Sequence, residues 1–512
     1  MLNKKPLWLR VLLAVLAALA GVATSFAFAP YSLWPLALVG TCALSVIVWQ
    51  ARALWGAALY GWAFGLGFMF VGIGWMQVIF PEALFALAGF MSLWYALLGW
   101  LIKLAQRSNW WPLLAAGAWT AIEAAFSRVP FGGFGWMRLG YSQIDSWFAG
   151  GYPLVGTAIV GFFVALIGNV VAWLILKPSL RSGWVSLGTV LAVLLVCVLG
   201  GSIQPEPTKG DVNVGWAQGG APGGGVYGLG PARTITKDEA EQTKELADDV
   251  AAGVYPKPAF VVWPENGTDL DPAKDQQTMD YIKRSLAEVG VPMLIGSIAE
   301  GPGENERQTV SYWWLPDGNI DGSYVKRGIV PFGEWVPLRD ILEPLFPKLS
   351  YVGRQSVAGD VPGVIPVVAD GRELDLGILI CYDVSFDSYV YDLGRYGADI
   401  AVVQSSNAMY QGTTQIEQQF AITRVRAAEL RREILVVTTS GISGYIDSRG
   451  NVVEKITDSG GAHGVQTIPI RDSATPVLWL GPILEIAVSV ISVLLILMNI
   501  KVSSRHGKRK GK

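Results

Sequence analysis

VLLAVLAALAGVATSFAFAPYSLWPLALVGTCALSVIVW, residues 11–49, contains no Asp, Glu, Lys or Arg. About 20 consecutive apolar residues cross the hydrocarbon core of a bilayer as a helix, so this run holds two crossings with a tight re-entry at Phe28-Ala29-Pro30-Tyr31. No small-x-small cleavage site precedes a soluble segment, so the first crossing is expected to stay attached rather than act as a signal peptide. Outward from it, apolar runs near 9–28, 33–49, 55–79, 83–103, 110–126, 152–176 and 183–200, and a last one near 480–500, predict about eight spans. Of the 512 residues 52% are hydrophobic and 16% charged, against about 25% charged in an average soluble domain. Residues 233–249, by contrast, are crowded with charge, so one chain serves two environments.

Short loops that stay cytoplasmic are enriched in Lys and Arg. With the N-terminus inside, the cytoplasmic ends hold Lys4, Lys5, Arg10, Arg52, Lys103, Arg107, Lys177, Arg181 and the tail Lys501, Arg505, Lys508, Arg509, Lys510 and Lys512, whereas the opposite short connections hold Arg128 and Arg138. Both termini are therefore expected in the cytoplasm. The division is a transmembrane bundle at 1–202, an extracytoplasmic domain at 203–476, and a last span with a basic topology-anchoring tail at 477–512. A net charge of −2 without a clustered basic surface on the large domain excludes nucleic acid as a partner. Gly61, Gly65, Gly67, Gly72 and Gly74 in the third span read as close helix packing. Glu123 lies inside a span near its outer end, within reach of Arg128, and reads equally as a functional group and as an anchor.

From Asp211 the pattern changes to short β-branched runs at 212–217, 259–263, 293–296, 376–380, 400–403 and 434–438, alternating with helical stretches at 236–252, 273–289, 384–396 and 415–432. That order predicts an α/β layered domain with helices outside. The glycine-rich run Gly219-Gly220-Ala221-Pro222-Gly223-Gly224-Gly225 lacks the Gly-Lys-Ser/Thr of a phosphate-binding loop and reads as a mobile surface loop.

Cys42 and Cys197 lie in apolar runs as buried small hydrophobes, which leaves Cys381 at the end of a strand, just before a helix whose positive end favours a thiolate. Histidine is the usual base for such a thiol. His506 is in the tail and His463 sits in a Gly-rich, solvent-exposed stretch, so neither qualifies. A buried carboxylate with a raised pKa can take the proton instead, and a lysine can stabilise thiolate and oxyanion. Glu265 in Trp263-Pro264-Glu265-Asn266 and Lys326 in Tyr324-Val325-Lys326-Arg327 fit those roles. No metal and no cofactor is called for.

Together these three residues, on three successive strand ends, resemble the Glu-Lys-Cys triad of the carbon–nitrogen hydrolase (nitrilase) superfamily. With seven spans before that domain and one after, the whole chain resembles the bacterial apolipoprotein N-acyltransferase family. The likeness rests also on Ser25-Phe26-Ala27-Phe28-Ala29-Pro30-Tyr31 with Trp34-Pro35, Gly140-Tyr141-Ser142-Gln143, Gln218-Gly219, Asn407, and the helix with Arg424, Arg426, Ala427, Glu429 and Arg432. Its most specific signal is Val330-Pro331-Phe332-Gly333-Glu334.

The resemblance implies a nitrilase-like αββα sandwich on a membrane helical bundle in the bacterial cytoplasmic (inner) membrane. It implies ping-pong transfer of an acyl chain from a phospholipid, through a thioester on Cys381, to the α-amine of a diacylglyceryl-cysteine on a prolipoprotein. Glu334 would support Lys326, Tyr382 and Asp383 would shape the pocket beside Cys381, and Asn407 would line it. The protein is expected to act as a monomer. Three positions depart from the family pattern: Asp383 replaces a Glu, Gln308-Thr309-Val310-Ser311 replaces an Asn-Ser, and Tyr227 stands in a loop that usually carries a Trp. Two rival functions share parts of this reading: a membrane-anchored amidase or nitrilase with water as acceptor, and a non-catalytic scaffold for a membrane glycosyltransferase.

Overall fold

The computed structural model describes residues 6–509 except Val226, Asp458 and Ser473, with side chains described as far as Met498. Lys4, Lys5, His506 and the tail cations from Lys501 to Lys512 lie outside the described side chains. Two compact units emerge, one made of residues 1–203 with 479–512 and the other of residues 204–478.

The first unit is helical: α1 (Leu7–Ser25), α2 (Pro35–Trp49), α3 (Leu54–Gly72), α4 (Pro81–Ala105), α5 (Trp111–Phe126), α6 (Tyr152–Leu176), α7 (Leu180–Gly201) and a C-terminal helix, Val477–Arg509. A helix thus lies at each of the eight predicted positions, but among the described residues six are long and apolar enough to cross a membrane. α2 and α5 have 15 and 16 residues, about 23–24 Å at 1.5 Å per residue, short of a hydrocarbon core of about 30 Å. α3 ends at Gly72 rather than at 79, where the chain tightens into a 3₁₀ turn over Gly74–Val78.

The span glycines let backbones touch. A Cβ at Gly61 would lie 2.1 Å from the Tyr95 carbonyl of α4, and one at Gly67 2.0 Å from the Ala18 carbonyl of α1. Glu123 is buried and accepts hydrogen bonds from the Trp119 indole at 3.0 Å and the Leu139 N–H at 2.8 Å. Its expected neighbour Arg128 pairs instead with Glu485 of the C-terminal helix, joined there by the buried Arg138 at 3.3 Å. These bonds make Glu123 an anchor for the loop after α5.

The second unit holds β1 (Asp211–Gln218), α8 (Thr234–Ala251), β2 (Phe260–Val262), α9 (Gln276–Val289), β3 (Met293–Glu300), β4 (Glu306–Trp314), β5 (Ile320–Val325), α10 (Arg339–Leu345), β6 (Gln355–Ser356), β7 (Val364–Ala369), β8 (Arg372–Ile380), α11 (Asp387–Arg395), β9 (Ile400–Ser405), α12 (Thr414–Leu430), β10 (Ile434–Thr438), β11 (Ser443–Ile446), β12 (Val452–Ile456) and β13 (Ala462–Pro469). One sheet runs β13-β1-β2-β3-β4-β5, with β6 on β4, and the other runs β12-β11-β10-β9-β8-β7. Successive strand residues face opposite sides, and the burial follows that alternation. Val212, Val214, Trp216, Val262 and Trp313 meet Ile365, Leu376, Ile378, Val402 and Leu435 of the second sheet in one core. Ala217, Val261, Trp263 and Ile295 pack the other way, on Leu246 of α8 and Ile282 and Leu286 of α9. The result is an αββα sandwich.

Candidate active site

Three strand ends converge. β2 runs out into Pro264-Glu265-Asn266, a turn closed by Asn266 in the left-handed region (φ 54°). The turn lies so close on β3 that a Cβ at Gly296 would sit 2.1 Å from the Pro264 carbonyl oxygen, which is why β3 carries glycine there. Lys326 follows the last residue of β5, its N–H held by the Thr309 carbonyl at 2.9 Å. Cys381 follows β8 with φ 51°, a left-handed conformation that costs a non-glycine residue about 1–2 kcal/mol.

Lys326 is 1% exposed and Glu265 4%. The ammonium donates to Glu265 Oε1 at 2.8 Å and to both oxygens of Glu334 at 3.0 Å. Glu265 Oε2 accepts the Ser406 N–H at 2.9 Å, and Glu334 Oε2 accepts the Val330 N–H at 2.8 Å. Burial alone would pull the lysine down, but the Glu265 and Glu334 carboxylates outweigh it and hold its pKa well above the ordinary lysine value. Lys326 is therefore a fixed cation.

The Cys381 thiol is pushed up to about 12, first by burial and next by the Glu265 carboxylate, while Lys326 and the Ser405 hydroxyl pull it down. This corrects the expectation of a thiolate favoured by a helix end. Cys381 opens only a five-residue 3₁₀ turn, Cys381–Ser385, α11 begins later at Asp387, and desolvation dominates. At rest the thiol keeps its proton.

Asp383 does more than line the site. Fully buried, it accepts the Ile380 N–H at 2.9 Å, the Gly328 N–H at 2.6 Å and the Tyr324 hydroxyl at 2.9 Å. It thereby ties the Lys326 loop to the Cys381 turn, a reach suited to the shorter carboxylate. Asp383→Leu should orphan three buried donors, at about 1–3 kcal/mol each, and thermal denaturation in detergent should show a loss of at least about 3 kcal/mol. Tyr382 is buried edge-on against Phe386, with centroids 5.1 Å apart. Asn407 is buried beyond β9 with φ 54°, its Oδ1 3.0 Å from Ser405 Oγ. On α12, Arg426 donates to the Val384 carbonyl at 2.7 Å and to Glu429 at 2.6 Å, bracing the Cys381 turn from behind.

Several site residues carry no sequence signal. Ser405 and Ser406 look like ordinary polar residues, and Tyr410, whose hydroxyl is raised by burial and by the charges of Cys381 and Glu334, follows them in the same loop. The glycine-rich run is pinned rather than loose: Gly220 N–H donates to the Thr439 carbonyl at 2.8 Å, Gly225 N–H to the Met409 carbonyl at 2.8 Å, and the Gln411 amide to the Ala221 carbonyl at 3.1 Å. Tyr227 of that loop bonds Tyr351. His463 is part-buried on β13, hydrogen-bonded to Gln242 and Asp249 at 3.0 Å each, on a different strand from any of the three site residues.

Residues 20–170 match the family model described as the apolipoprotein N-acyltransferase N-terminal domain, and residues 239–469 match that of carbon–nitrogen hydrolase. An apolipoprotein N-acyltransferase of Mycolicibacterium smegmatis is 29% identical over 516 residues, covering 96% of this chain and 85% of that protein. Proteins of the same name from Shewanella oneidensis and Nitrosomonas europaea are 26% and 28% identical, covering 87% and 85% of this chain and 87% of each relative. A solved amidase from Nesterenkonia sp. AN1 aligns at 14% identity and a TM-score of 0.37, over 52% of this chain and 93% of that one. With relatives matching along both units, the chain belongs to the apolipoprotein N-acyltransferase family, a membrane-helix unit joined to a carbon–nitrogen hydrolase domain.

Proposed function

We propose that this bacterial membrane acyltransferase moves an acyl chain from a phospholipid to Cys381 and then to the α-amine of a diacylglyceryl-cysteine at the head of a lipoprotein. The observation that carries the reading is the buried Lys326 ammonium clasped by Glu265 and Glu334, with the charges of all three acting on the Cys381 thiol. Glu265 takes the thiol proton, and the sulfur attacks the ester carbonyl. As the carboxylate becomes neutral, its own penalty on the thiolate disappears while the Lys326 cation stays. Lys326 then faces the oxyanion of the tetrahedral intermediate. Collapse expels the lysophospholipid oxygen, which takes the proton from Glu265 and leaves a thioester. In the second half the amine attacks that thioester, Glu265 accepts the amine proton, and the returning thiolate is reprotonated. Glu334 holds Lys326 through both of its oxygens while Glu265 takes the proton.

The segment after Glu334 exposes Leu338, Ile341, Leu345 and Phe346, an apolar surface that fits a lipid substrate better than the small polar substrate of an amidase. Lys326→Arg should lower transfer from a labelled phospholipid to a diacylated peptide by about 10²–10³-fold. A wider planar guanidinium does not fit three oxygens placed around one ammonium. Near-normal transfer by this variant would remove Lys326 from the oxyanion role.

The Lys and Arg asymmetry, counted over eight crossings, supports both termini inside and the large domain at 203–476 outside. Ser311 is fully buried, so an exposed reporter at Glu304→Cys is the sound choice, paired with Ser503→Cys in the tail. A membrane-impermeant maleimide on intact spheroplasts should label the former and spare the latter. The reverse pattern would overturn the orientation.

A further inference from the structure

β8 and β9 run parallel with Ile380 opposite Gln404, so Cys381 and Ser405 are neighbours at the two strand ends. The pleat sends Gln404 into the layer between the sheets, where its amide donates to the Trp263 carbonyl at 2.5 Å, and sends Ser405 towards α12. Ser405 is 1% exposed. Its Oγ accepts from Gln419 Nε2 at 3.1 Å and lies 3.0 Å from Asn407 Oδ1, and Gln419 Oε1 accepts from Gln415 Nε2 at 3.2 Å. All three amides are buried. Donation runs from Gln415 to Gln419 and from the Gln419 amide nitrogen to Ser405, whose Oγ also lies 3.4 Å from Gln419 Oε1. A hydroxyl has one hydrogen to give, and here it has the closer Asn407 Oδ1 at 3.0 Å, the longer Gln419 Oε1 at 3.4 Å and the sulfur of the neighbouring Cys381 as acceptors.

We propose that Ser405 is a positioning residue for acyl transfer: held from behind by Gln419 and Gln415, its hydroxyl turns its one hydrogen from Asn407 to the Cys381 sulfur as the thiolate forms. An oriented chain of this kind polarises its last donor. It supplies a neutral donor to a sulfur whose other neighbours, Glu265, Lys326, Glu334 and Tyr410, are ionisable. The inference rests on Cys381 being the nucleophile proposed above.

The test is the pH dependence of Cys381 alkylation by iodoacetamide in the full-length protein in detergent without lipid. Peptide mapping by mass separates Cys381 from Cys42 and Cys197. Ser405→Ala should alkylate about tenfold more slowly at any fixed pH below the midpoint, a shift of about one pH unit for a lost bond to a charged group. Ser405→Thr, which keeps the hydroxyl, should restore the wild-type profile, and Gln419→Met should shift it part of the way. A Ser405→Ala profile that overlays the wild type overturns the proposal, as does failure of threonine to rescue. Should the alanine variant not fold, an unshifted Gln419→Met profile overturns it equally. Alkylation needs no substrate, so a wild-type protein that never acquires an acyl group on Cys381 would sink the nucleophile assignment while leaving this profile readable.

Discussion

Glu265→Gln should lower acyl transfer by about 10²–10⁴-fold, the range for loss of a general base, and at the same time make Cys381 easier to alkylate at neutral pH. The two effects have one origin. After burial, the Glu265 carboxylate is the largest influence raising the thiol to about 12, so replacing it with a neutral amide lowers the thiol pKa while removing the group that accepts its proton. A residue that acted only by tuning the thiol electrostatically would move both readouts together. The amide oxygen can still accept from Lys326, and Glu334 keeps its two bonds to the ammonium, so the lysine stays paired. The amide nitrogen, however, would meet the Ser406 N–H where Glu265 Oε2 now accepts it, at about 1–3 kcal/mol for the unmade bond. The variant should therefore fold with a modestly lower melting temperature. Normal transfer by Glu265→Gln, or slower alkylation, would refute its assignment as the base.

Cys381→Ser should lose transfer almost completely. In the proposed mechanism a thiol held up by burial is released by the Glu265 carboxylate. A serine hydroxyl is far harder to ionise than the thiol it replaces, and an oxygen ester, once formed, is a poor acyl donor to an amine. Because sulfur and oxygen differ little in shape, the strained turn at φ 51° and the Asp383 clasp should persist, and the melting temperature should stay close to that of the wild type. A serine variant with more than a few per cent of wild-type transfer would mean that the acyl group passes directly between substrates.

Much of this was legible in the chain itself, for reasons that differ between its parts. Long uncharged runs announce helices without ambiguity, yet the lengths of α2 and α5 are set by Pro35, by Pro112 and by turns that hydropathy does not see. The six β-branched runs predicted as strands are all strands, because they are buried on both faces and read as continuous apolar stretches. β4 and β5 escaped notice because Gln308, Ser311, Asp321 and Ser323 interrupt the apolar pattern, and β12 because its Val452-Val453-Glu454-Lys455-Ile456 is an exposed edge.

The site divides similarly. Glu265, Lys326 and Cys381 stand out because each follows a strand, and Glu334 because it closes the Val330-Pro331-Phe332-Gly333-Glu334 motif, and the fold brings Glu265, Lys326 and Glu334 into contact. The protonation of the thiol did not follow from the helix-end argument. It depends on desolvation by elements distant in sequence and on a carboxylate from another strand. Ser405 and Asp383 were hard to rank for the same reason, since their partners Gln419, Gly328 and Tyr324 lie 14, 55 and 59 residues away.

The most direct test of the central claim is the intact mass of the purified protein after incubation with phospholipid alone. The amine that would discharge a thioester is then absent, and a desolvated site slows attack by water. The account predicts one added acyl mass, mapped to Cys381, released by neutral hydroxylamine, and lost on addition of a diacylated peptide as the triacylated product appears. A wild-type protein that acylates the peptide yet shows no such adduct, even in a single turnover, would contradict it and take Cys381 out of the nucleophile's role.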